Sequence, residues 1–187
     1  MENKNKEKET KENFFSFVSV FVIAIILAFF IRSFIFSSNL VIGESMEPTL
    51  HERNRLISLI FPKYFTDPKR GDIVIIDAPE EKGKEYIKRV IGIPGDNVEV
   101  IDGHFYINGD LYDEDYIEEG ILTEIYNTDF WTLQENEFFV AGDNRRPGKS
   151  MDSRYFGPVN KKTIRGIVKL RFWPIKEIGI VGGLNGK

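Results

Sequence analysis

One apolar stretch, from Phe14 to Ile31, constrains this chain more than any other feature. Of those 18 residues only Ser16 and Ser19 are polar. As a helix rising about 1.5 Å per residue it would reach about 27 Å, close to the hydrocarbon thickness of a bilayer. Arg32 follows, then Ser33-Phe34-Ile35-Phe36, which suits an interfacial helix end with the arginine reaching back to the headgroups. A cleavable signal peptide is the competing reading. Its apolar core is normally shorter and its leading segment net basic, whereas Met1 to Asn13 carries as many Glu as Lys. Residues 1–13 are therefore expected to be a solvated tail, 14–36 a transmembrane anchor and 37–187 a separate domain.

The flanking charges set the orientation. Lys4, Lys6, Lys8 and Lys11 precede the apolar run and only Arg32 lies close after it. The positive-inside rule then puts the N-terminus in the cytoplasm and the domain after Phe36 outside the cell membrane. For the domain itself, 187 residues allow one ordinary fold plus the anchor. With 25 basic against 29 acidic residues the net charge is −4, which gives no electrostatic case for nucleic acid. The absence of cysteine excludes disulfides, thiolate metal sites and cysteine nucleophiles. Two histidines, His51 and His104, are too few for most histidine-built metal sites.

Beyond the anchor the pattern is β. Arg55 to Ile60 and Gly71 to Ile76 are short β-branched runs, with Pro62, Pro68 and Gly71 marking a loop between them. Tyr86 to Ile93 is a further run, stopped by Pro94-Gly95-Asp96. Val98 to Ile101, Asp102-Gly103 and His104 to Ile107 form the strongest local signal, because Asp-Gly between alternating runs is the type I′ hairpin signature. Asn108-Gly109 supplies a second turn, and Phe138 to Ala141 and Thr163 to Phe172 are later strands. Strand follows strand with no helical period between them, so the expected class is mainly β: a compact antiparallel sheet system or barrel. Asp110 to Glu119 is expected to be a solvated acidic loop, His104 structural, and Gly179 to Gly186 a frayed end.

Chemistry enters at Gly43-Glu44-Ser45-Met46-Glu47-Pro48-Thr49. A serine held between a flexible and a rigid residue can present its hydroxyl to a ligand, although most such serines bond to their own backbone. Serine is a poor nucleophile without a base, and with so little histidine the available bases are carboxylates and a neutral lysine. Lys88 lies inside the run Tyr86-Ile87-Lys88-Arg89-Val90. Alternation puts it on the face of Tyr86 and Val90, with Arg89 on the other. On an apolar face an amine loses hydration and its pKa falls toward neutrality, which makes it a usable base. The competing reading is a lysine that reaches to solvent from a strand edge.

Four segments occur in order: Ser45-Met46-Glu47-Pro48-Thr49, Arg70-Gly71-Asp72-Ile73-Val74, Lys88 to Asp96, and Gly142-Asp143-Asn144-Arg145 with Ser150-Met151-Asp152-Ser153-Arg154. Together with the anchor and its exit, Ile31 to Phe34, they resemble the type I signal peptidases, bacterial leader peptidases that work with a Ser/Lys dyad. The short connections are similar to those of the small Gram-positive type. The resemblance covers nearly the whole chain, to about Trp173. It implies Ser45 as nucleophile and Lys88 as general base. It implies Ser150 as the serine that orients the lysine, and Asp143, Asp152 and Arg154 as polar braces of the site. The N–H of Ser45 would serve the oxyanion. Two positions depart from the pattern. Gly43 stands where some relatives place a second oxyanion donor. Arg146-Pro147-Gly148-Lys149 is about two residues longer than the common spacing, which leaves Ser153 as the alternative to Ser150.

The resemblance implies cleavage of exported preproteins after small residues, in the Ala-x-Ala manner. Shallow apolar pockets near Val41, Ile42 and Ile87 would serve that selection. The implied partners are signal peptides and membrane lipid, with no metal, cofactor or nucleic acid. Within enzymes the rival is the self-cleaving repressor class, which shares the dyad but needs a DNA-binding domain where this chain has its apolar run. The non-enzyme alternative is a membrane-tethered binding domain that has lost catalysis.

Overall fold

The computed structural model describes residues 16–29, 36–60 and 66–182. Two compact units emerge, Met1–Phe36 and Ser37–Lys187. In the first, residues 16–29 form a helix (α1) whose side chains are exposed all round. Among the described residues no helix is long and apolar enough to cross a membrane. The expected tail at Met1 to Asn13, the start of the apolar run and its exit at Ile31 to Phe34 lie outside the described residues. Phe36, assigned from the sequence to the anchor, opens the first strand.

The second unit is built from strands β1 (Phe36–Leu40), β2 (Arg55–Leu59), β3 (Ile73–Asp77), β4 (Glu85–Gly92), β5 (Asn97–Ile101), β6 (His104–Ile107), β7 (Asp110–Leu111), β8 (Phe130–Thr132), β9 (Glu137–Ala141), β10 (Val159–Asn160), β11 (Ile164–Trp173) and β12 (Gly179–Ile180). Its one α-helix among the described residues is the single turn α2 (Ser153–Phe156). An eight-stranded sheet runs β1-β2-β11-β3-β4-β9-β10, with β12 added on β11, and a four-stranded sheet runs β7-β6-β5-β8. The described pairings are antiparallel, as the strand-after-strand pattern predicts.

Turn chemistry explains the smaller sheet. Asp102 and Gly103 have φ of 49° and 78°, and Asn108 and Gly109 have 55° and 88°. Positive φ at both central residues is the type I′ geometry, whose twist matches that of the flanking strands. The two turns therefore lay β5, β6 and β7 side by side, Val100 opposite Phe105 in the expected hairpin and Tyr106 opposite Leu111 in a strand pair the sequence did not announce.

Side-chain alternation divides the core. Ile73 and Ile75 point into one cluster with Val41, Met46, Leu50, Leu56, Val168 and Val181. Val74 and Ile76 point into another with Val90, Phe138, Val140, Val159, Ile164 and Ile167. A third joins the smaller sheet to β9 through Trp131, Phe105 and Phe139, with ring centroids 4.6 Å (Trp131 to Phe139) and 5.6 Å (Phe105 to Phe139) apart. Each such aromatic pair adds about 0.5–1.5 kcal/mol beyond its area.

Two expectations are corrected. The glycine-rich end is not frayed where it is described: Gly179 and Ile180 pair with Arg171 and Leu170 on β11, and Val181 is buried in the core. Its glycines hid a strand because glycine carries no side-chain pattern. Nor is the stretch from Asp110 to Glu119 merely a solvated loop. Glu114 is buried against Arg145, and the ring of Tyr116 lies under Arg89.

Candidate active site

The turn bearing Ser45 is positioned by its neighbours. Met46 and Leu50 are buried in the core, so the turn between them is pinned by packing on both sides. Backbone bonds from Glu47 N–H to the Glu44 carbonyl and from Leu50 N–H to the Met46 carbonyl complete it. Ser45 stays half-buried at the end of a cleft of about 750 Å³. The walls are two extended segments that both lead toward it: Ser38 to Glu44 on one side and Gly83 to Lys88 on the other. Val41, Ile42 and Ile87, expected near the substrate, all line this cleft, Val41 from the core and Ile42 from the surface.

Lys88 projects from the middle of β4, opposite Val74 on β3, and Nζ donates to Ser45 Oγ at 2.9 Å. The residue is 2% exposed. Burial holds its pKa down at about 8; Asp152 and Asp143 pull it up and Arg154 pulls it down. Arg89, the next residue, points to the other face, as alternation requires. There it forms a buried fork on Asp143, Nε to Oδ1 at 2.8 Å and one terminal nitrogen to Oδ2 at 2.7 Å.

The chain leaving β9 packs against the turn that bears Ser45. Asn144 N–H donates to the Ser45 carbonyl at 3.0 Å, and its Nδ2 donates to the Glu44 carbonyl at 3.0 Å. Gly142 lies so close that a Cβ there would stand 2.2 Å from Ser150 Oγ and 2.4 Å from the Ser45 carbonyl oxygen. Only glycine lets these three strands of chain meet.

Behind Gly142, the Asp152 carboxylate collects five hydrogen bonds: from Ser150 Oγ at 2.7 Å, Gly142 N–H at 3.0 Å, and Arg154 through Nε, a terminal nitrogen and its backbone N–H. Burial pushes its carboxyl up, but Arg154 and the other donors prevail and hold it below the ordinary value. Asp152 also caps α2. The hydroxyl of Ser150 thus donates to Asp152, leaving its lone pairs as the only means by which it can meet an amine. Ser153 is engaged elsewhere: its Oγ accepts from the Val140 N–H at 2.9 Å, deep in the core.

The two histidines stand apart. His51 Nδ1 lies 3.5 Å from Glu47 Oε1 and His104 is exposed on β6. Among the described residues no group of His, Asp or Glu has the arrangement of a metal site.

Sequence reasoning missed the residues that hold the site from behind. The fork of Arg89 on Asp143, the approach of Gly142 to Ser45, and the involvement of Glu114 and Tyr116 depend on contacts between distant segments. The one local signal was the spacing of Tyr112, Glu114 and Tyr116, every second residue, which reads as a face even inside an acidic stretch. The pair Lys149–Glu44, 2.6 Å apart at the cleft, was also unforeseen.

Comparison with known proteins gives one family. The model described as signal peptidase, peptidase S26, matches residues 14–173. A signal peptidase I P of Bacillus subtilis subsp. natto is 39% identical, the alignment covering 93% of this chain and 97% of that protein. A signal peptidase I of Bacillus licheniformis is 42% identical over 92% of this chain and 97% of that protein. A crystal structure of a signal peptidase I from Enterococcus faecalis V583 is 35% identical and superimposes with a TM-score of 0.47, covering 55% of this chain and 97% of that one.

Proposed function

This chain belongs to the signal peptidase family, peptidase S26, and from that premise and the geometry of its cleft we propose that it is a membrane-anchored serine endopeptidase that removes signal peptides from exported preproteins. The observation that carries the mechanism is the 2.9 Å hydrogen bond between the buried Lys88 Nζ and Ser45 Oγ at the end of a peptide-sized cleft. Once Lys88 loses a proton, Nζ has a lone pair on the same line and the bond can reverse, so that Oγ–H donates to the amine.

Ser45 Oγ then attacks the carbonyl carbon of the scissile peptide bond while its proton passes to Lys88 Nζ. The carbonyl oxygen becomes an oxyanion that accepts from the backbone N–H of Ser45. As the C–N bond breaks, the Lys88 ammonium returns the proton to the leaving amine, and an ester to Ser45 remains. A water gives one proton to Lys88 and attacks the ester carbonyl; as the bond from Ser45 Oγ to the acyl carbon breaks, Lys88 returns that proton to Oγ and the carboxyl end of the signal peptide leaves. Asp152 and Arg154, buried as a pair, brace Ser150 and Gly142, while Asp143, forked by Arg89, braces the backbone next to Asn144.

Substrate would enter extended. β9 pairs with β4 only from Arg89 onward, so Glu85 to Lys88 offer an unpaired edge along the cleft. Small residues before the scissile bond suit a groove walled by Ile42 and Ile87 and floored by Val41. The membrane anchor is supported by α1, whose only polar residues are Ser16 and Ser19, and by the apolar residues on either side of it in the sequence. The Lys residues before Phe14 favour an extracytoplasmic catalytic unit.

The test is turnover of a peptide carrying Ala-x-Ala by the full chain in detergent. Cleavage after the second Ala is expected, abolished in Ser45→Ala and in Lys88→Ala. Binding of the peptide without cleavage by the parent would favour the tethered binding domain instead. Turnover that survives Ser45→Ala would remove the proposed nucleophile.

A further inference from the structure

The segment Gly142 to Arg145 is the template on which the nucleophile turn hangs, since Asn144 holds the carbonyls of Glu44 and Ser45. Its far side is gripped by the loop between β7 and β8. Arg145, fully buried, donates Nε to the Gly142 carbonyl at 2.8 Å. Its terminal nitrogens reach Thr123 Oγ1 at 2.9 Å and both carboxylate oxygens of Glu114. The Tyr116 hydroxyl donates to Glu114 Oε1. The Tyr116 ring lies 3.8 Å from the guanidinium carbon of Arg89, and Arg89 returns to the template through its fork on Asp143.

With the chain from Asp143 through Asn144 to Arg145, these contacts close a ring: Arg89, Asp143, Arg145, Glu114, Tyr116 and back to Arg89. Arg89 adjoins Lys88 on β4, and Asp143 and Arg145 flank Asn144. The ring therefore ties the strand of the base to the turn of the nucleophile. We propose that Glu114 and Tyr116 are positioning residues for this reaction, setting the spacing of Ser45 and Lys88 through Arg145 and Arg89; the proposal rests on the reading of that pair as nucleophile and base. Neither residue lines the cleft, so substrate contacts are not theirs to lose. Without the Glu114 carboxylate, the buried Arg145 loses the only anion it hydrogen-bonds among the described residues and keeps only the more distant pull of Asp143, which is already forked by Arg89; any move it makes toward water carries the Gly142 carbonyl with it. Without the Tyr116 ring, one face of the Arg89 guanidinium loses its packing, and the fork on Asp143 can tilt.

The experiment compares the parent full chain in detergent with Glu114→Gln, Tyr116→Leu and Tyr116→Phe. Asp113→Asn, an exposed neighbour, is the control. Two readouts are taken, turnover of an Ala-x-Ala peptide and acylation of Ser45 by p-nitrophenyl acetate, which needs no cleft. Glu114→Gln and Tyr116→Leu are expected to lower kcat by about 10- to 100-fold, as small misplacements of reacting groups do. KM should stay within about twofold, and ester acylation should fall by the same factor as kcat. Tyr116→Phe keeps the ring under Arg89 and should retain most of the rate, and Asp113→Asn all of it. Rates that fall only in proportion to the folded fraction, measured by thermal melting, would overturn the proposal and leave the loop a stabilising element. If Glu114→Gln does not fold, the contrast between Tyr116→Phe and Tyr116→Leu decides. A parent chain without peptide turnover would instead defeat the proposed function itself.

Discussion

Lys88 shows how one side chain can be made reactive by its place in a strand. Its charged form is disfavoured by burial, which lowers the pKa from 10.5 to about 8. That shift corresponds to about 3 kcal/mol against the ammonium form in the folded state. The sign has two consequences. The proposed mechanism needs the neutral amine, so kcat/KM of the free enzyme should rise with pH along a limb centred near 8 and level off above it. Stability is lowered in full below pH 8, where both folded and unfolded chains carry the proton, and the cost is relieved as pH rises from about 8 to 10.5. Lys88→Met should therefore be inactive yet melt higher than the parent at pH 7. Lys88→Arg should be inactive too, because guanidinium keeps its proton. Substantial peptide turnover by Lys88→Arg would sink the Ser/Lys mechanism. The two serines downstream should separate in the same assays. Ser150→Ala loosens Asp152 next to the nucleophile and should lower kcat with little change in KM. Ser153→Ala removes the partner of the buried Val140 N–H, so it should cost about 1–3 kcal/mol of stability while sparing kcat. The reverse pattern would move the orienting role to Ser153.

At the scale of elements, the end of β9 and the turn bearing Ser45 meet with no room for a side chain at Gly142. Gly142→Ala would put a methyl 2.4 Å from the Ser45 carbonyl oxygen and 2.2 Å from Ser150 Oγ, and neither neighbour is the free end of a flexible side chain. The expected outcome is a folded protein with kcat reduced at least about 100-fold, read by peptide turnover alongside a thermal melt. Parent-like turnover would mean that the turn can retreat without harm. Elements whose signal is local were legible in the sequence. Asp102-Gly103 declared the hairpin of β5 and β6 and Asn108-Gly109 the turn that ends it, though not the strand β7 that follows, and the alternation in β4 put Lys88 and Arg89 on opposite faces. Short strands such as β8, β10 and β12 were not legible, because two or three residues hold too little pattern and their pairing is decided by strands far away in sequence. For the same reason the ordered motifs pointed to Ser45, Lys88, Ser150 and Asp152, while Glu114 and Tyr116 passed for a solvated loop. An acidic side chain reads as surface until its buried cation is known, and Arg145 stands 31 residues away.

For the whole molecule the question is which side of a bilayer the catalytic unit occupies. The apolar run from Phe14 to Ile31 has four lysines before it and one arginine close after it. On the proposed anchoring, cytoplasmic retention of basic residues predicts the tail inside and the unit from Ser37 onward outside. The proposed function calls for that placement: a preprotein passing through the membrane would present its cleavage site on the outer face, within reach of an enzyme anchored there. In intact spheroplasts, added protease should digest an epitope at the C-terminus and spare one at the N-terminus. After lysis it should digest both. The chain should sediment with membranes and resist alkaline carbonate, since an apolar helix does not rely on the ion pairs that high pH removes. A C-terminal epitope protected in intact spheroplasts would place Ser45 on the wrong side for its proposed substrates. The peptidase assay in detergent would still report whether the Ser45–Lys88 pair works, so orientation and chemistry are judged separately.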